Sequence, residues 1–187
     1  VVIALPTYFH LDCARSAAEA KKHVLLEKPI ARNIQEAKEI LSSCSSNSVK
    51  LMIGYPLRFD NKFIELKKNF ANGSLGDIEI AHAVNVSCGP FSSRADGFHP
   101  APVPEWWFNA GMTGGGALID LGSHMINLLR WYFGEIADVR SSLGYRYHLG
   151  LEDSANCLVK FKKGTSAIVT VGWFSQTMSL RLELFGT

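Results

Sequence analysis

The stretch Val1-Val2-Ile3-Ala4-Leu5-Pro6-Thr7-Tyr8-Phe9-His10 opens the pattern that decides the fold. A short β-branched apolar run meets a Pro-Thr turn, and an alanine-rich helix follows over His10 to Lys22. His23-Val24-Leu25-Leu26-Glu27-Lys28-Pro29 then returns as a second apolar run. Uninterrupted apolar runs on either side of a helix are what a parallel sheet covered on both faces requires, so this segment predicts a β-α-β unit. Gln35 to Ser43 adds a second helix with Asn33 as its cap, and Ser42 to Ser48 reads as the helix end and a surface loop. Val49 to Ile53 is a third strand, ending at Gly54. Ligands on such sheets bind beyond the carboxyl ends of the strands, where Pro6-Thr7 and Glu27-Lys28 fall. Lys28 is followed by Pro29, which restricts its backbone and aims the side chain. An ammonium group in that position suits a substrate hydroxyl and its alkoxide.

A domain boundary is expected near Tyr55-Pro56, dividing the chain into 1–54 and 55–187. Asn61 to Phe70 is amphipathic and stops at Asn72-Gly73. Beyond it, Asp77 to Ser87, Ala137 to Tyr147, Ser154 to Lys162, Ser166 to Phe174 and Ser179 to Phe185 read as long strands, with Lys162-Lys163-Gly164-Thr165 as a hairpin turn. The fold class is therefore α/β, a parallel β/α portion followed by an α+β domain with an open, mainly antiparallel sheet. Apolar residues at consecutive positions, Ala167 to Val169 and Val171 with Trp173-Phe174, predict a sheet covered on both faces, its outer one by a second copy of the chain.

Gly114-Gly115-Gly116-Ala117-Leu118-Ile119-Asp120-Leu121-Gly122-Ser123-His124 carries the chemistry. A helix over Leu118 to Phe133 places Asp120 and His124 four residues apart on one face. An imidazole with a carboxylate one turn away suits proton transfer; a solvated ion pair is the plain alternative. A metal site lacks a third ligand, only His99 being loosely placed. Cys88 to Thr113, rich in Gly, Pro, Ser and aromatics including Phe91, Phe98, Trp106, Trp107 and Phe108, reads either as a lid or as a surface excursion without regular structure.

In 187 residues, 47% hydrophobic content is ample for a core. A net charge of +2, with no basic run longer than a pair, gives no indication of nucleic acid. Apolar stretches fall short of a membrane span, and no charged leader precedes an apolar run. The four cysteines, Cys13, Cys44, Cys88 and Cys157, show no ligand spacing and are expected to be reduced thiols of a cytoplasmic protein. No Gly-x-Gly-x-x-Gly occurs, and both ends fall in or beside strands. If Val1 to Leu5 is a fourth strand, on the order of 60 to 80 residues are expected before it, at about 30 per β-α-β unit.

In this order, Pro6-Thr7 with His10, Glu27-Lys28-Pro29, Gly54-Tyr55 with Arg58-Phe59, Asn72 to Ile78, Gly114 to His124 with Arg130-Trp131, and Glu152-Asp153-Ser154 resemble the glucose-fructose oxidoreductase / inositol dehydrogenase / MocA family. The resemblance covers essentially the whole chain. It implies the second half of a doubly wound Rossmann domain, followed by the family's α+β domain. It also implies NAD or NADP as cofactor, a sugar, cyclitol or polyol as substrate, and a homodimer or homotetramer. Pro6, Thr7, His10, Glu27, Lys28 and Pro29 match positions at the cofactor, although His10 fits equally as a cap of the following helix. Lys28, Asp120 and His124 match the catalytic positions, with His124 as base. Lys28, Arg58, Trp106, Trp107, Asp120 and His124 are the implied substrate contacts, with Arg58 alternatively in an interdomain salt bridge. Where many relatives carry Trp-Arg ahead of the glycines, Trp106-Trp107-Phe108 stands here, which favours an apolar, stacking wall for the substrate. No metal is implied. The alternative of another class is a dinucleotide- or sugar-sensing protein without turnover.

Overall fold

The computed structural model describes residues 1–94, 97–100 and 103–187. Its elements follow in the order β1 (Val2–Ile3), α1 (His10–Glu19), β2 (Val24–Glu27), α2 (Ile34–Ser46), β3 (Leu51–Gly54), α3 (Asn61–Ala71) and β4 (Ile78–Val86). Next come β5 (Phe91–Arg94), β6 (Gly97–Pro100), α4 (Ala110–Thr113), α5 (Ser123–Phe133), β7 (Ile136–Gly144), β8 (Ser154–Phe161), β9 (Ser166–Gly172) and β10 (Ser179–Gly186). They gather into two units. One comprises Val1–Tyr55 with Pro104–Gly116, the other Pro56–Val103 with Ala117–Thr187.

In the first unit the apolar runs pair as a parallel sheet in the order β1-β2-β3, with Val2 opposite Leu25 and Glu27 opposite Gly54. Ala14, Ala17 and Ala18 line one face of α1, and their small side chains let the helix lie close to Ile3, Val24 and Leu26. Ile40 and Cys44 bring α2 onto the same core. Asn33 caps α2, its side chain accepting from the Glu36 amide at 2.9 Å. The helix runs further than its serines suggest, through Ser42 to Ser46. Serine side chains compete for backbone partners only weakly, and the buried Cys44 holds this last turn down.

The second unit is a five-stranded sheet in the order β10-β4-β9-β8-β7, antiparallel throughout except for the parallel pair β4 and β9. Ala81, Ala83, Ala155 and Ala167 leave a shallow bed on one face, into which Met125, Leu128, Leu129 and Phe133 of α5 sink, with Phe63 of α3 beside them. Full burial of each large apolar side chain contributes about 1.5–3 kcal/mol. On β9 the burial alternates: Ala167, Val169 and Val171 face the core, whereas Ile168 is 42% exposed on the other side with Thr170 next to it. The outer face is thus mixed rather than continuously apolar, with Ile80, Leu158, Ile168 and Phe185 exposed among Asn156, Lys160 and Glu183. All four cysteines are free.

Between Cys88 and Thr113 the described residues include regular elements where an irregular course was one expectation. β5 and β6 pair antiparallel, with Phe91 opposite Pro100, and a 3-10 turn at Glu105–Phe108 leads into α4. Backbone pairing supplies the order here, and it carries no apolar period for a sequence reading to detect. The side chains of Phe98 and His99 lie outside the described residues, as do residues 95–96 and 101–102.

Tyr132 ties α5 to α3. Its hydroxyl donates to the Phe63 carbonyl at 3.0 Å and its ring stacks on Phe70 at 5.1 Å. Burial disfavours the phenolate and pushes the Tyr132 hydroxyl up to about 12. The neutral phenol therefore contributes stability that is complete below the unfolded value of about 10 and lost as pH rises through about 12. In a spectrophotometric alkaline titration, one of the five tyrosines should ionise only near that upper limit, and Tyr132→Phe should remove the late step.

Candidate active site

In the first unit, the carboxyl ends of the parallel strands carry Pro6, Glu27, Lys28 and Pro29. Glu27 is exposed, while Pro6, Lys28 and Pro29 are half-buried, and the Lys28–Pro29 peptide is cis. Gly54 faces Glu27: a Cβ there would stand 3.2 Å from Glu27 Oε2, so the missing side chain leaves room for that carboxylate. Thr7 is buried in a 3-10 turn, Thr7–Phe9.

His10 is 1% exposed, with Nε2 2.9 Å from the Leu5 carbonyl oxygen and Nδ1 3.0 Å from that of Pro29. These main-chain neighbours take the place of the helix cap expected of it. The ring joins the ends of the first two strands, because its main-chain partners were brought together by the sheet.

Arg32 was not singled out from the sequence. Its guanidinium pairs with Glu36 one turn on, donates to the Gly111 carbonyl and lies 4.8 Å from the Tyr8 ring centroid. Burial alone would raise the Glu36 carboxyl, but the Arg32 hydrogen bonds outweigh it and hold the carboxyl below its ordinary range. The same hydrogen bond raises Arg32 above its ordinary value. Arg32 thereby fastens α4 to the parallel sheet portion. Trp106 and Trp107 stand on this fastened segment, half-buried, with ring centroids 6.1 Å apart.

In the second unit, the helix expected over Leu118 to Phe133 begins with a π-helical turn, Leu118–Gly122, before α5 takes over. Asp120 and His124 are both half-buried on it, and His124 Nδ1 is enclosed. The Trp173 indole donates to Asp120 Oδ2 at 3.2 Å. The Asn85 side chain donates to the Leu121 carbonyl at 3.1 Å, and the amides of Ala117 and Leu118 donate to the Glu152 carbonyl and Oε1 at 2.9 and 3.0 Å. One of these contacts had a sequence signal. Asn85 follows Ala81 and Ala83 at the inward-facing positions of β4, where a polar side chain needs a partner.

Arg58 is a brace. Its Nε donates to Asn127 Oδ1 at 2.7 Å and its guanidinium lies 5.5 Å from the Trp131 ring centroid, so it ties the turn before α3 to α5. Among the described residues, no three His, Cys, Asp or Glu side chains gather into a group that could hold a metal ion. Lys28 belongs to the first unit, Asp120 and His124 to the second.

A family model described as the NAD-binding Rossmann fold of an oxidoreductase family matches residues 1–55, and one described as the GFO/IDH/MocA C-terminal domain matches residues 63–187. The chain is 30% identical to the levoglucosan dehydrogenase of Pseudarthrobacter phenanthrenivorans over 143 residues, 76% of this chain and 35% of that protein. It is 27% identical to the myo-inositol 2-dehydrogenase of Thermotoga maritima over 201 residues, 100% of this chain and 54% of that protein. The crystal structure of GenD2 from gentamicin A biosynthesis, in complex with NAD, superposes with a TM-score of 0.87 at 26% identity, covering 100% of this chain and 52% of that one. The chain spans about half the length, or less, of the curated relatives it matches.

Gly114 permits the fastening of the segment that holds the tryptophans. Its φ is +86°, and a Cβ would fall 2.6 Å from the Arg32 carbonyl oxygen. Gly114→Ala should therefore destabilise the protein by roughly 1–3 kcal/mol in chemical denaturation. Chymotrypsin should also cut faster at Trp106 to Phe108, because the Arg32–Gly111 contact is displaced.

Proposed function

The chain belongs to the GFO/IDH/MocA family of oxidoreductases, and from that premise we propose that it serves hydride transfer between NAD or NADP and a secondary alcohol or ketone of a sugar, cyclitol or related polyol. The observation that supports this reading most is the half-buried pair Asp120 and His124 on successive helical turns, with Asp120 anchored by an indole N–H. Lys28, at a strand end of the unit matched by the NAD-binding model, adds a cation of the kind the reaction uses. The residues fit a dinucleotide. Glu27 and Lys28 offer an acceptor and donors of the type that ribose hydroxyls need, beyond the carboxyl ends of parallel strands.

A bound nicotinamide supplies hydride acceptance in one direction and hydride donation in the other. In the oxidative direction the carbinol C–H bond breaks with its electron pair, the hydroxyl proton passes to His124, and the C=O bond forms. With Nδ1 enclosed, we assign that proton to Nε2. The Lys28 ammonium stabilises the alkoxide as it develops, and Asp120 orients the imidazole or holds a neighbouring hydroxyl. Trp106 and Trp107 offer flat apolar surface to the ring face of a sugar. The presence of Lys28, Asp120 and His124 together gives a sensor without turnover less support.

Assembly belongs to the same proposal. Ile80, Leu158, Ile168 and Phe185 lie exposed on the outer face of the five-stranded sheet, and we assign that face to a second copy of the chain in a homodimer or homotetramer. Four free thiols agree with a reducing compartment such as the cytoplasm, and no helix among the described residues is long and apolar enough to cross a membrane.

Two measurements test this. The intact protein, offered NAD or NADP with a panel of inositols, anhydro-sugars and aldoses, should reduce the nicotinamide with at least one of them. His124→Ala should lower that turnover by roughly 10²-fold or more while leaving dinucleotide affinity nearly intact. No turnover on any member, or equal loss of both properties in the variant, counts against the reading. For assembly, light scattering at micromolar concentration should give a dimer or tetramer, and Ile168→Glu should reduce it towards monomer; a monomeric parent protein would exclude the interface.

A further inference from the structure

We propose that Trp173 is a positioning residue of the reaction centre, fixing the Asp120 carboxylate through its indole N–H while Asn85 and Glu152 hold the π-helical turn on which Asp120 stands. The inference rests on the hydride-transfer reading above. It adds three residues that touch neither substrate nor cofactor in that reading.

A π-helical turn inserts an extra residue into the helical ladder, so its amides and carbonyls fall out of register with their neighbours. Single turns of this kind persist only where other groups hold them. Here residues within or next to three separate strands do so. Glu152, just before β8, accepts from the Ala117 and Leu118 amides at 2.9 and 3.0 Å. Asn85 of β4, 4% exposed, donates to the Leu121 carbonyl at 3.1 Å. Trp173, just after β9 and 1% exposed, donates to Asp120 itself. Gly122 closes against the Leu118 side chain, whose Cδ1 would stand 2.7 Å from a Cβ placed there.

The indole is itself held. Gly89, at a φ of +56°, lies so close that a Cβ would be 2.2 Å from Trp173 Cδ1, and the Trp173 amide donates to the Asp153 carbonyl at 2.8 Å. An indole has one donor in one direction. With its ring wedged, it fixes one carboxylate oxygen and with it the plane of the other. A carboxylate so held spends no rotamer freedom when the transition state forms, and a displacement of about 1 Å at such a site can cost on the order of 10²-fold in rate.

Trp173→Phe keeps a buried ring and removes only the donor. With the dinucleotide and the panel polyol that turns over fastest, its kcat should fall about tenfold and its KM should stay within about twofold, since the lost contact acts on geometry in the transition state. A second measurement leaves the ring in place. Of the indole N–H resonances of this chain's four tryptophans, one should move upfield in Asp120→Asn, whose amide oxygen is a weaker acceptor than a carboxylate. Wild-type kcat in Trp173→Phe, while Asp120→Asn and His124→Ala are inactive, would overturn the positioning role and leave hydride transfer standing. Four unmoved resonances would overturn it as well. Full turnover in Asp120→Asn would overturn it too, since the positioned carboxylate would then not matter, whereas no turnover of any panel polyol by the parent protein would remove the hydride-transfer reading and this inference with it.

Discussion

A helix that begins inside the body of a protein brings amides and carbonyls that water cannot reach, and each must find another partner. The turn Leu118–Gly122 imposes that demand on the second unit. Glu152, Asn85 and Trp173 answer it from within or beside three strands that are remote in sequence. Those strands are neighbours only because β4, β9 and β8 lie side by side in the sheet. The alanines of the same strands then let α5 descend far enough for the contacts to form. Sheet order, small side chains and polar partners are thus one arrangement, and the Asp120–His124 pair inherits its placement from them.

The first unit follows a plainer rule. Parallel strands leave their carboxyl ends on one side, and whatever is attached there is collected. His10 lies between the main chain after two of those ends, and Arg32 fastens the segment with the tryptophans to the same portion of chain. Both residues hold main chain, the backbone that carries the candidate site residues.

Much of this was legible from the residues alone, for identifiable reasons. The β-α-β pattern showed because parallel strands are apolar without interruption and α1 marks its buried face in alanine. Asn33 announced a helix start, and Lys163-Gly164 a hairpin, because caps and turns need few residue types. The π-helical turn did not show, since a single wider turn leaves the apolar periodicity almost unchanged. β5 and β6 are held by main-chain pairing that their side chains do not advertise. Arg58 and His10 stand out as polar residues in telling places, but their partners Asn127, Pro29 and Leu5 are set by tertiary structure, which the local sequence does not carry.

The position of β4 has a consequence for the order of events during synthesis. This strand lies between β9 and β10, both of which follow it by most of the second unit. A ribosome releases β4 long before either neighbour exists, with both hydrogen-bonding edges open and Ala81, Ala83 and Val86 uncovered. Local hairpins such as β7 with β8 can close as they emerge, but β4 must wait for distant chain. The sheet therefore forms around its oldest strand last, and during that interval the nascent chain depends on whatever shields an unpaired edge from its neighbours.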